Sequence, residues 1–240
     1  MLYAVLGDIH GNLHALEAVL NDLEDAGADR FVCVGDVVGY GADPGECVAI
    51  LRELDALTVA GNHDWAAVGK VEVDYFNADA RDSIEWTRQA LGESDTEYLR
   101  DCTLVASADD FTVVHSTLFS PEYFEYMQTL YDVRLSFEHL DTGLCFCGHS
   151  HVPVMFLDTE PVDCFLETEF DLPDGQRAIV NVGSVGQPRD LDPRACYVLY
   201  DSDEGRVYLR RVEYDIHAAS ECIVEAGLPS TNAARLVLGR

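Results

Sequence analysis

Through its first 115 residues the chain alternates short apolar runs with amphipathic helical patterns, and that order leaves few folds open. "LYAVL" (2–6), "RFVCVG" (30–35) and "LTVAG" (57–61) read as buried strands. Between the first two, "NLHALEAVLNDLEDAG" puts Leu13, Leu16, Leu20 and Leu23 on one helical face, with Asn12 as N-cap and Gly27 as stop. Asp43 caps a second helix that starts at Pro44. This βαβαβ order requires parallel strands joined by right-handed crossovers.

Residues 64–102 read as an inserted helical segment. "FTVVH" (111–115) and "GLCFCG" (143–148) are strands on either side of a helix over 131–140. From Val152 to Val212 the pattern becomes short β runs with turn residues between them, which predicts a second, more antiparallel sheet. Helices occupy about 216–238. The expected architecture is two sheets packed face to face with helices outside.

Acidic residues outnumber basic ones 44 to 15, for a net charge of −29, and Lys70 is the only lysine. The acids are spread along the chain, so they form a solvated surface and not an interaction tail. Such a surface repels long nucleic acid at low salt. Its 26 aspartates against 18 glutamates, with almost no lysine, also suit high salt, where screening removes the self-repulsion. No apolar run approaches the roughly 20 residues of a membrane helix. The N-terminal segment turns polar after six residues and has no basic stretch, so it reads as a first strand and not as a leader. A cytoplasmic protein with reduced thiols is expected. Of the eight cysteines, Cys33, Cys47, Cys145, Cys147, Cys164 and Cys196 lie in apolar surroundings.

Chemistry concentrates where the apolar runs end. "GDIHG" supplies Asp8 and His10, "GDVVG" Asp36, "GNHD" Asn62, His63 and Asp64, "VVHS" His115, and "GHSH" His149 and His151. The C-terminal ends of strands are where the loops of α/β sheets converge on ligands. Each motif alone is weak, and Asn62 could merely cap a helix. Five placed the same way, all supplying oxygen and imidazole donors, are not explained as caps. The donor set suits Mn, Fe or Zn better than Ca or Mg. In "CFCGHSHVP" the paired cysteines and histidines are too closely spaced for a closed Cys₂His₂ zinc site. Cys145 and Cys147 therefore belong to the strand. A P-loop, a nucleophile elbow and a dinucleotide fingerprint are all missing.

The ordered set GDIHG, GDVVG, GNHD, VVH and GHSH resembles the calcineurin-like metallophosphoesterases, and most of all their small prokaryotic phosphodiesterase-type members. "NVGSVGQPRD" (181–190) looks like the family's C-terminal strand and turn, which extends the resemblance over nearly the whole chain. The sequence after Asp36 lacks the Asp-Arg of the protein phosphatases, which argues against a phosphoprotein substrate. The resemblance implies an α/β (α+β) four-layer αββα sandwich of two mixed sheets, with residues 1–240 as one metallophosphoesterase domain. It also implies two divalent ions: Asp8, His10 and His151 at one, Asn62, His115 and His149 at the other, and Asp36 bridging. His63 would be the general acid, oriented by Asp64. The implied reaction is hydrolysis of a small phosphate ester, a phosphodiester foremost, by a hydroxide held between the two metals.

Arg189 has two readings, a phosphate contact or an ion pair with Asp190 or Asp192. The backbone N–H groups of 183–186 are candidates to line the pocket. Tyr40, Phe119, Tyr123, Phe124 and Tyr126 follow ligand strands and could stack on an aromatic leaving group or fill core. Rival functions are a non-catalytic scaffold of the same fold, a structural-zinc protein, or a phosphomonoesterase or dinucleoside polyphosphate hydrolase.

Overall fold

A computed structural model describes every residue except 109 and 174. β1 (Leu2–Leu6), α1 (Leu13–Ala26), β2 (Arg30–Cys33), α2 (Pro44–Glu53) and β3 (Leu57–Thr58) form the expected parallel unit. The Asn12 side chain accepts from Ala15 N at the start of α1, and Gly27 ends it in the left-handed conformation. Then come α3 (Asn62–Ala67), α4 (Ala78–Ala90), α5 (Glu93–Asp101), β4 (Val105–Ala108) and β5 (Phe111–Val114). α6 (Leu130–Glu138) and β6 (Leu144–Cys147) lead to β7 (Val154–Leu157), β8 (Asp163–Phe165) and β9 (Glu169–Asp171). β10 (Ala178–Asn181), β11 (Ala195–Asp201), β12 (Arg206–Val212), α7 (Ile216–Glu225) and α8 (Ser230–Leu238) follow.

The strands form two six-stranded mixed sheets, ordered β3-β2-β1-β11-β12-β9 and β4-β5-β6-β10-β7-β8. Strand alternation sorts the side chains into layers. Tyr3, Val5 and Val32 of the first sheet meet Phe111, Val113 and Phe146 of the second in one buried cluster. Tyr3 and Phe146 both pack edge-on to Phe111, at 5.0 and 5.3 Å between ring centres. Burying each such ring contributes roughly 1.5–3 kcal/mol. On the outer face of the first sheet, Ala4 and Leu6 pack with Leu16 and Val19 of α1 and Leu51 of α2. On the outer face of the second, Cys145, Cys147 and Ile179 pack with Val133 and Phe137 of α6. Helix, sheet, sheet, helix is the four-layer αββα sandwich.

Three expectations need correction. The 152–212 segment does not make a sheet of its own: β7, β8 and β10 join the second sheet, whereas β9, β11 and β12 extend the first. β11 does so by pairing antiparallel with the free edge of β1, where the parallel unit left its backbone groups open. Residues 68–77 are turns and bends between α3 and α4, not helix, because α3 stops at Ala67 and a new N-cap, Asn77, starts α4. Cys164 is exposed on β8, although all eight cysteines are free as expected. Among the described residues no helix is long and apolar enough to cross a membrane.

Candidate metal centre

The strand-end motifs converge beyond the C-terminal ends of β1, β2, β3, β5 and β6, at one end of the two packed sheets. Asp8 and His10 follow β1, Asp36 follows β2, and Asn62, His63 and Asp64 open α3 after β3. His115 follows β5, and His149 and His151 follow β6. Asp8, His10, Asp36 and His151, all buried, bring one donor atom each within 4.8 Å of one another. Asp36, His115 and His149 do the same. Asp36 is common to both groups, with Oδ2 lying 3.6 Å from His10 Nε2 and 3.4 Å from His115 Nε2.

Backbone carbonyls fix the ring orientations. His10 Nδ1 bonds Val38 O at 3.0 Å, His115 Nδ1 bonds Val34 O at 2.8 Å, and His151 Nδ1 bonds Gln187 O at 2.6 Å. A carbonyl only accepts, so each Nδ1 carries a proton and each Nε2 is the nitrogen turned inward, able to ligate a cation when it is deprotonated. His149 is reversed: its Nδ1 faces inward, 3.1 Å from His115 Nε2, and its Nε2 is buried without a partner among the described residues. Asn62 Oδ1 is likewise buried and unpartnered among the described residues. Inward-facing ring nitrogens, two carboxylates and an orphaned amide oxygen suit divalent cations, so the residues present fit bound metal.

The backbone is strained to achieve this. Asp8, His10, Asp36, His149 and His151 all have φ between 50° and 67°, a region non-glycine residues rarely enter. Space is equally tight: a Cβ at Gly61 would collide with Asp36 Oδ1, and one at Gly148 with Asp8 Oδ2. The turn at 183–187 locks the first loop. Ser184 Oγ donates to Asp8 O at 2.7 Å, and Val185 N and Gly186 N donate to Gly7 O and Asp8 O. Gly183 N likewise donates to Asn181 Oδ1, so these amides are already occupied and not free for a ligand, contrary to the sequence expectation.

Electrostatics follow from burial and from Asp36. Burial opposes ionisation of Asp36, but His115 and His63 hold it well below the usual carboxylate range. Burial also lowers His115, but Asp36 outweighs it and brings it up to about 9. Burial dominates at His10, His149 and His151, which stay neutral at pH 7. It pulls His63 down to about 4, against Asp36, which raises it.

His63 sits edge-on to His10 at 4.9 Å and to Phe76 at 5.1 Å, and tilted to Tyr40 at 4.5 Å. Its Nδ1 has no partner among the described residues, and its backbone N–H donates to Asp36 Oδ1 at 2.9 Å. Asp64 does not touch the His63 ring. Its carboxylate accepts from the backbone N–H groups of Val37, Val38 and Gly61, and so staples α3 to the Asp36 loop. Burial and Asp36 push Asp64 up to about 7, although those three donors favour its ionised form.

Arg189 stands by Tyr40, with its guanidinium carbon 5.8 Å from the ring centre and Nη2 donating to Gln187 Oε1. Neither candidate aspartate pairs with it. Asp190 binds Arg211 and Asp192 binds Arg194. Tyr126 stacks on His149 at 3.9 Å, and buried Phe124 lies edge-on to His115 at 6.0 Å. Outside the cluster opens a cleft of about 360 Å³. Tyr40, Tyr123, Phe124 and Tyr126 line it and Phe119 does not. Sequence reasoning missed Glu72, Tyr75, Phe76 and Glu122 in its walls. The only signal was an acidic and aromatic run, "VEVDYFN", in a stretch read as helix.

A profile of the calcineurin-like phosphoesterase superfamily domain matches residues 1–205. "Uncharacterized protein MJ0912" of Methanocaldococcus jannaschii is 39% identical over 244 residues, spanning all of this chain and 98% of its own length. The crystal structure of a metallophosphoesterase from Sphaerobacter thermophilus is 40% identical, with a TM-score of 0.89 over 100% of this chain and 99% of that one. The hypothetical protein PH1004 from Pyrococcus horikoshii shares the fold at 20% identity, with a TM-score of 0.79 over 100% of this chain and 98% of its own.

Proposed function

The chain belongs to the calcineurin-like phosphoesterase superfamily, and from that premise we propose that it hydrolyses a small phosphate ester, a phosphodiester foremost, at a dinuclear metal centre. The observation that carries this reading is the position of Asp36, a single carboxylate within reach of both donor groups. Asp8, His10 and His151 would hold one cation and Asn62, His115 and His149 the other, with Asp36 shared by both groups. When bound, the cations supply Lewis acidity at phosphorus and acidify water near neutral pH. Mn, Fe or Zn fit the donors.

The chain's own residues do the rest. His63 is neutral in the free protein and presents an N–H. An ester anion beside it raises its proton affinity, so it takes up a second proton with the substrate and, as imidazolium, passes that proton to the leaving oxygen. Asp64 keeps His63 in place through the backbone of α3 and not through its ring. Arg189, which pairs with no carboxylate among the described residues, is held by Gln187 and keeps its charge available to a phosphate oxygen. Tyr40 supports both His63 and Arg189. Turnover of bis-p-nitrophenyl phosphate with added Mn²⁺, faster than that of p-nitrophenyl phosphate, is the expected result. No turnover of either ester with Mn²⁺ or Zn²⁺ would leave a metal-binding scaffold.

A further inference from the structure

The cleft beyond the metal cluster has an unusual lining. Glu72, Tyr75 and Phe76 form one wall, and Glu122, Tyr123 and Tyr126 the other. Tyr75 is 96% exposed, Tyr123 71% and Tyr126 43%. Among the described residues only one further aromatic ring, Tyr131, is comparably exposed, so open aromatic surface gathers at this cleft. Rings left in water beside a site mark a surface that something planar covers. They also form a path: Phe76 packs against His63 and Tyr126 against His149, so a stacked ring would sit next to the reacting phosphate. A volume of about 360 Å³ falls in the range of small-molecule sites.

The charges narrow the ligand further. Glu72 and Glu122 are the charged side chains apart from the site's histidines on the described lining, and no lysine or arginine faces it. Carboxylates only accept hydrogen bonds. They repel a second phosphate and favour a ring edge that carries donors. A guanine edge, with N1–H beside an exocyclic amine, offers two donors together.

We propose that this cleft binds the leaving group of the ester, and that the leaving group is a nucleoside with a donor-bearing base, guanosine above all, carrying no further phosphate. The inference rests on the phosphoesterase reading. In the reaction a water oxygen bonds to phosphorus as the ester P–O bond breaks. The nucleoside oxygen takes a proton from His63, giving a free nucleoside alcohol and a phosphate monoester.

Two measurements test it separately. With Mn²⁺, the dinucleoside monophosphate GpG should show a KM about tenfold below that of glycerophosphoethanolamine, a diester without a ring. The double substitution Tyr75→Ala with Tyr123→Ala should collapse that preference. Replacing Glu72→Gln and Glu122→Gln should improve the use of diguanosine tetraphosphate relative to GpG. Independently of turnover, calorimetry should show saturable binding of guanosine but not ribose to wild type, weakened in the double tyrosine variant. Equal use of both diesters, or no guanosine binding, overturns the inference. Guanosine binding without hydrolysis of any ester would keep the nucleoside site and remove the phosphoesterase reading.

Discussion

His10 and His151 face each other with their Nε2 atoms 3.1 Å apart, each ring pinned from behind by a backbone carbonyl on Nδ1. Two lone pairs so close repel unless a cation lies between them and the neighbouring Asp8 Oδ1, 3.2 Å from His151 Nε2. Metal should therefore stabilise the fold, since it binds the assembled site and not the unfolded chain. At a hundredfold excess over Kd the gain is about 2.7 kcal/mol. For a chain of this size that corresponds to roughly 5–10 °C in Tm. Scanning calorimetry of chelator-treated protein with and without Mn²⁺ measures it, and an unchanged Tm would count against the site.

Asp36→Asn removes the one charge both donor groups share. Turnover of bis-p-nitrophenyl phosphate should fall to the buffer background, and metal content should fall below that of wild type by elemental analysis. Full activity in this variant would sink the proposed centre.

Gly61→Ala is a subtler probe of the same carboxylate. Gly61 has φ −90° and ψ 174°, which any residue can adopt, so the only penalty is the collision of the new Cβ with Asp36. Overpacking of this kind costs about 1–3 kcal/mol. The variant should fold with a lowered Tm and lose most turnover. Wild-type kinetics would mean that Asp36 is not held where the reaction needs it.

His63→Ala should separate substrates by leaving group. General acid catalysis contributes about 10²–10⁴-fold when the leaving oxygen needs a proton. An alkyl diester should lose on the order of a hundredfold or more, and p-nitrophenyl esters much less. Equal losses on both would assign His63 to positioning alone.

The buried thiols set an alkaline limit. Burial raises Cys33, Cys47, Cys145 and Cys147 well beyond the ordinary thiol range, and Cys102 and Cys196 to about 12. Above roughly pH 8.5 the unfolded chain loses these protons while the folded chain keeps them, so stability falls as pH rises. Each thiol removes up to about 1.4 kcal/mol per pH unit in that window. Tm should drop steeply above pH 9. A disulfide-exchange reagent at pH 8 should label exposed Cys164 first, and rapid labelling of six or more thiols would contradict the burial.

Legibility followed locality. Asp8, Asp36 and His149 could be found because each follows an apolar run and a glycine, a signal contained in a few residues. The parallel unit and the caps at Asn12 and Gly27 were readable for the same reason. Alternation in β10 and β11 identifies their buried faces but says nothing of which sheet edge will accept them, so the division of 152–212 stayed hidden. Asp64 looked like a partner for His63 because of its position in "GNHD". Its partners include the amides of Val37 and Val38, 27 and 26 residues away. Tyr75 and Glu122 carry no periodic signal and matter only because two distant loops face each other across the cleft.

The loop at 183–187 closes onto Asp8, and His151 leans on the carbonyl of Gln187. The order of synthesis turns this into a matter of timing. A growing chain holds Asp8 and His10 from its first turns, yet the half of the cluster that includes His151 cannot be set until the segment past residue 187 has emerged and packed. On the proposed reading, metal capture follows folding: it would seal a finished fold and not template an unfinished one.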